Sequence, residues 1–235
     1  MNKSPSCLLP NFCRSFMLPI GVAMITAVAG FAQPTDPYTD KLKTGDAKTQ
    51  SGDFAGAAAD YEAAFLDAKT PTQSALALGK KAQSLVQTKD FPAAREAADR
   101  ALGSGGSIEP VAEVTVLQAL AKCQLEAKDY AGALDSMTRA GALIGVDWAK
   151  PELAMIRGDA ERGVGNAEAA LISYRSVLDM PGVSDDFKGV AWLNVGLAEQ
   201  YSLKNGANAK EAYAKAVELN PGLKAEIETH VAKIQ

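Results

Sequence analysis

The side chains best suited to acid–base or metal chemistry are scarce in this chain. It has one histidine, His230, and three cysteines, Cys7, Cys13 and Cys123. Metal capture at His230 would need further Cys or His ligands, and none is spaced to supply them. A Ser-His-Asp relay finds no support there either. H-E-x-x-H, the Walker loop, G-x-S-x-G and C-x-x-C are all absent. GSGGSIEP (103–110) is rich in glycine but follows no strand pattern, so a phosphate cradle is not expected. Arg157, Gly158 and Asp159 match the integrin-recognition tripeptide, yet they fall inside a helical pattern rather than at a loop tip. No catalytic residue, metal ligand or cofactor is therefore assigned. The rival reading stays open: an enzyme, or a polysaccharide-processing helical domain, with an acidic site of unfamiliar spacing.

Charge narrows the partners. The 235 residues carry a net charge of −4. Residues 1–32 hold Lys3 and Arg14 and no acid, leaving 22 basic and 28 acidic groups, or −6, for the remainder. An acidic body without a basic block does not suit phosphate backbones, so nucleic acid is not expected. Lys3 and Arg14 precede the apolar run FMLPIGVAMITAVAGFA (16–32), with Gly30 and Ala32 at the −3 and −1 positions of a cleavage site. That is the layout of a secretory signal and predicts an exported protein, periplasmic or secreted. The alternative is an uncleaved membrane anchor formed by residues 16–32, the one route to a membrane partner. That run is at the short limit for a bilayer span. Cleavage removes Cys7 and Cys13, and Cys123, inside VTVLQALAKCQL, reads as a small buried hydrophobe without a disulfide partner.

What remains to be positioned is a repeat. GDFAGAAADYEAAF sets Asp53, Ala57, Tyr61 and Ala64 at offsets zero, four, eight and eleven. The same slots hold Asp90, Ala94, Ala98 and Ala101, and then Asp129, Ala133, Met137 and Ala140. Asn166, Ala170, Tyr174 and Val177 follow, and last Asn205, Ala209, Tyr213 and Ala216. First members lie 37, 39, 37 and 39 residues apart, a solenoid signature. Asp or Asn in the first slot is a helix N-cap, and the later slots share one helical face. A second helix precedes each skeleton, within 38–51, 75–88, 114–127, 151–164 and 190–203, with Gly45, Ala82, Ala121, Gly158 and Gly196 in register. Glycine inside a helix costs about 1 kcal/mol against alanine, so three at one slot predict close helix contact.

The pattern resembles the tetratricopeptide repeat, whose signature is W-x2-L-G-x2-Y, then A-x3-F, A and P. Trp192, Val195, Gly196, Ala209, Tyr213, Ala216 and Pro221 carry the likeness best, and the five units cover about residues 38–221. The expected architecture is all-α: a right-handed α-solenoid of about five helical hairpins, near 38–71, 75–108, 114–147, 151–184 and 189–221. A linker at 33–37 precedes them and a capping helix at 222–235 closes the array, with Leu223, Ile227, Val231 and Ile234 on one stripe. The units exceed the family's roughly 34 residues, with the surplus assigned to the connections between hairpins.

The resemblance implies a protein-interaction scaffold or adaptor of the cell envelope, with a protein or peptide partner held in the concave face of the first helices. By repeat phase that face offers Lys43, Asp46, Gln50, Gln83, Gln87, Gln118, Lys122 and Glu126, continued by Asp159, Arg162, Asn194, Leu197 and Tyr201. Some family members clamp the terminal carboxylate of heat-shock chaperones there with lysines and asparagines. The equivalent slots here pair Leu42 with Asp46, Gly79 with Gln83 and Met155 with Asp159, so that ligand is not expected.

Overall fold

The structure, a computed structural model, describes residues 36–143 and 145–234. The secretory-signal reading of residues 1–32, and linker residues 33–35, lie outside the described residues. Eleven α-helices and no strand occur among those described. They run α1 Pro37–Gln50, α2 Phe54–Leu66, α3 Pro71–Gln87, α4 Phe91–Gly103, α5 Pro110–Glu126 and α6 Tyr130–Gly141. Then come α7 Lys150–Gly163, α8 Ala167–Ser176, α9 Asp185–Leu197, α10 Gly206–Leu219 and α11 Lys224–Val231. Consecutive helices pair as five hairpins, each packed on the next. The last helix lays Ile227 against Leu193 and Tyr213 and covers the apolar end of hairpin five.

Each hairpin turns the same way. Asp53, Asp90, Asp129, Asn166 and Asn205 are all N-caps, each side chain accepting from the backbone N–H three residues on, at 2.9–3.2 Å. The residue before each cap, Gly52, Lys89, Lys128, Gly165 or Lys204, has φ between +58° and +86°. This left-handed residue lets the cap N–H reach back to a carbonyl five residues earlier in the first four hairpins, as in Asp90 to Leu85.

The glycine slot of the first helix faces the third skeleton slot. A Cβ on Gly45 would lie 2.6 Å from the Tyr61 ring, on Gly158 2.4 Å from Tyr174, and on Gly196 2.4 Å from Tyr213. Where the slot holds Ala82 or Ala121, the facing residue is Ala98 or Met137 instead. Ring size and backbone clearance are thus matched hairpin by hairpin, and all three tyrosines are buried.

Two features depart from the sequence pattern. First, α3 and α5 begin at Pro71 and Pro110, a turn before residues 75 and 114. Proline suits a first turn, where no amide is needed, and Thr70 caps α3 by accepting from Gln73 at 3.1 Å. Part of the surplus length is therefore helix rather than loop. Second, glycine slot and cap are eight residues apart in four hairpins but nine in the fifth, from Gly196 to Asn205. A π-helical turn at Ala198–Ser202 absorbs the extra residue, and the Asn205 N–H bonds Glu199, six residues back.

Candidate functional site

The first-helix residues one, four and five beyond the glycine slot turn toward a groove. In α1 these are Asp46, Thr49 and Gln50, and in α3 Gln83, Val86 and Gln87. Two recesses form along it. One, of about 580 Å³, is bordered by Asp46, Gln50, Gln83, Gln87 and Lys122, with Phe54, Lys80 and Glu152. The other, of about 790 Å³, is bordered by Lys122, Glu126, Asp159, Arg162 and Asn194, with Phe91, Tyr130 and Ser202. Lys122 belongs to both.

Polar bonds tie the first helices together across the groove. Lys80 of α3 meets Asp46 of α1 at 2.7 Å, and Asp46 also accepts from the Tyr61 hydroxyl at 2.7 Å. The Gln83 amide donates to Gln118 at 3.3 Å, and Gln118 donates to Glu152 of α7 at 3.1 Å. Lys122 pairs with the same Glu152. In α7, Asp159 accepts from the Tyr174 hydroxyl at 2.7 Å and pairs with Arg162. Burial pushes the Asp159 carboxyl above its ordinary value, against the pull of Tyr174 and Arg162. The Tyr174 phenol is likewise raised by burial, and further by the Asp159 charge.

Ten of the thirteen residues singled out by repeat phase thus border the recesses or their ladder. Gln118 is buried, and its amide is committed to Gln83 and Glu152, so it braces the groove instead of facing it. Lys43, Leu197 and Tyr201 border neither recess. Lys43 is exposed on α1, and Leu197 packs on the apolar end of hairpin five. Tyr201, in the π turn, meets His230 of α11 at 3.0 Å, while Gln200 accepts from Tyr213 and donates to the His230 carbonyl. His230 therefore serves the closing helix.

Sequence reasoning passed over Lys80, Glu152, Phe54, Phe91 and Tyr130. The three aromatics were readable: each directly follows a cap in three successive units. Lys80 was readable too, since it lies two residues before the notch slot as Lys43 and Asn194 do, whereas Glu152, six residues before Gly158, had no such signal, because no other hairpin brings that slot to either recess. Among the described residues no cluster of His, Cys, Asp and Glu could hold a metal ion, and no helix is long and apolar enough to cross a membrane.

Five capped hairpins of near-constant period, each with a glycine or alanine notch, make this chain an all-α helical-repeat solenoid with the tetratricopeptide-repeat fold. Among solved structures it is similar to YrrB, a TPR protein with an unusual peptide-binding site. That match has 18% identity and a TM-score of 0.56 over 82% of this chain and 90% of that one. It is similar also to MamA, at 19% identity and a TM-score of 0.55 over 81% and 95% of the two chains. A second MamA structure gives 21% identity and 0.53 over 77% and 96%. No family model and no curated protein matches the sequence.

Proposed function

We propose that this protein is a non-enzymatic interaction scaffold that holds a segment of a protein partner in the groove across its first helices. One observation carries the reading: a polar groove crosses four hairpins and is braced by bonds between residues 30–35 positions apart. Such bracing pre-forms the surface, and pre-formed surfaces lose less entropy on binding. YrrB, with the same fold, is described as having a peptide-binding site, which supports the same use here.

The free amides are the cleanest test. Gln50, Gln87 and Asn194 border the recesses and make no side-chain hydrogen bond among the described residues. The variant Gln50→Ala/Gln87→Ala/Asn194→Ala should melt like the parent yet retain less of any partner captured by the parent. Each lost hydrogen bond is worth about 0.5–1.5 kcal/mol, so the triple change should weaken binding by tenfold or more. Full retention by the folded variant would move the site off this face. The layout of residues 1–32 places the scaffold outside the cytoplasm in this proposal. N-terminal sequencing of the exported protein should begin near Gln33, and an intact Met1 in a membrane fraction would replace the signal with an anchor.

A further inference from the structure

A third recess, of about 470 Å³, is bounded by α6, α7 and α8 and shares no residue with the two in the groove. Met137, Leu153, Ala154, Ile172 and Met180 give it an apolar wall, in contrast to the polar groove. The ions that line it are satisfied within the chain: Arg157 pairs with Glu161, and Lys150 with Asp147. A charged ligand would find no free counter-charge among these residues, whereas an apolar side chain would displace water from an apolar wall. Ile172 stands on the rim with 73% of its surface exposed.

The fold itself does not call for this surface. Six residues after the cap, hairpins two, three and five carry Glu96, Asp135 and Glu211, and ten after it Arg100, Arg139 and Lys215. An acid four residues before a base supports an exposed helix and keeps it soluble. Hairpin one has Ala59 and Ala63 in these slots, and hairpin four alone puts a large apolar residue there, Ile172, followed by Ser176. Isoleucine has a lower helix propensity than alanine or glutamate, so neither local stability nor solubility accounts for it. Its position does: the protruding side chain and the recess lie side by side on one face, which makes that face complementary to itself. A two-fold axis brings Ile172 of each copy to the recess of the other, the geometry of an isologous contact. Charge agrees with that geometry. Glu168, exposed and without an ion pair among the described residues, precedes Ile172 by four positions. Arg175, exposed although held by Glu199, follows it by three, so all three share one helical face. With α8 antiparallel to its copy, Glu168 of each falls opposite Arg175 of the other.

We propose that the protein forms a two-fold dimer through hairpin four, with Ile172 of each copy seated in the recess between α6 and α8 of the other. The contact is separate from the groove and leaves it open to a partner. Helix α8 spans ten residues, about 15 Å. The face therefore falls short of the roughly 800 Å² per partner of a standard interface, and the dimer should be micromolar. Sedimentation velocity of the full chain from about 1 to about 500 μM should show monomer passing to dimer and stopping there. With methyl-labelled methionine, the Met137 and Met180 signals should shift over the same range, and Met155, outside the recess, should not. Ile172→Glu installs the acid of the other hairpins at an exposed position. It should melt like the parent and weaken dimerisation by about a hundredfold. Glu96→Gln, in the same slot of hairpin two, should change nothing. Glu168→Arg should weaken the dimer about tenfold at low salt, and less at high salt. A monomer at every concentration, a dimer that Ile172→Glu leaves intact, or assembly continuing past the dimer overturns the proposal. None of these outcomes bears on the groove, which the triple amide variant tests by itself.

Discussion

Hairpins two and four answer the same packing demand in opposite ways. In hairpin four a glycine on α7 receives the whole ring of Tyr174, which is fully buried and bonds its hydroxyl to Asp159. In hairpin two Ala82 faces Ala98, and no ring enters. The saved volume is used sideways: α3 lies directly against α5, with Gly79 close to Val116. Hairpin two therefore leans more heavily on its neighbours than hairpin four does. A repeat skeleton fixes where a contact falls, while the residue in the slot decides whether the contact is internal or between units.

The largest change should come from emptying the ring slot. Tyr174→Ala should cost about 3–5 kcal/mol in denaturant melts, whereas Ala98→Gly in the matching slot of hairpin two should cost about 1 kcal/mol. Similar losses at the two sites would remove the distinction between the hairpins. Next in size is the notch. Gly158→Ala places a methyl against a buried ring and should cost about 1–3 kcal/mol. In a Tyr174→Ala background the same change should become neutral, or stabilise by up to about 1 kcal/mol through helix propensity. A double-mutant cycle without that change of sign would mean the ring and the notch are not coupled.

Removing only the hydroxyl probes the polar end. Tyr174→Phe breaks a bond to a carboxylate and should cost about 1.5–3 kcal/mol, against about 0.5–1.5 kcal/mol for Tyr213→Phe, whose acceptor is the Gln200 amide. Smaller still are the turns. Lys89 and Lys128 hold the left-handed conformation that Gly165 occupies freely in hairpin four. Lys89→Gly should therefore stabilise by up to about 1 kcal/mol, and Gly165→Lys should do the reverse. The smallest effect concerns Cys123, buried beside hairpin two, whose thiol burial pushes up to about 11. Native protein at pH 8 should resist alkylation except through unfolding. Because the folded value is the higher one, the stability this thiol contributes is intact below its ordinary value and is lost as pH rises through about 11. Rapid labelling of the native chain at pH 8 would place Cys123 at the surface.

The amino-acid sequence alone determined the number of hairpins, their caps, the glycine notches and the face on which the groove lies. These depend on offsets of four to eleven residues, and helical periodicity converts such offsets directly into direction. Even the nine-residue interval from Gly196 to Asn205 was countable, although the pattern did not show that a π turn would absorb it. Tertiary structure decided which polar groups stay free. Gln83, Gln87 and Gln118 were assigned to one face, yet Gln118, in the slot that holds buried Gly79 and Met155 elsewhere, lies between Gln83 and Glu152, and Gln87 stays open. Tyr201 shares its register with Gln50 and Gln87 but bonds to His230 on the closing helix. Each of these outcomes joins residues about 30 positions apart. A bond of that range depends on the distance and angle between whole helices, which are set only when every interface packs.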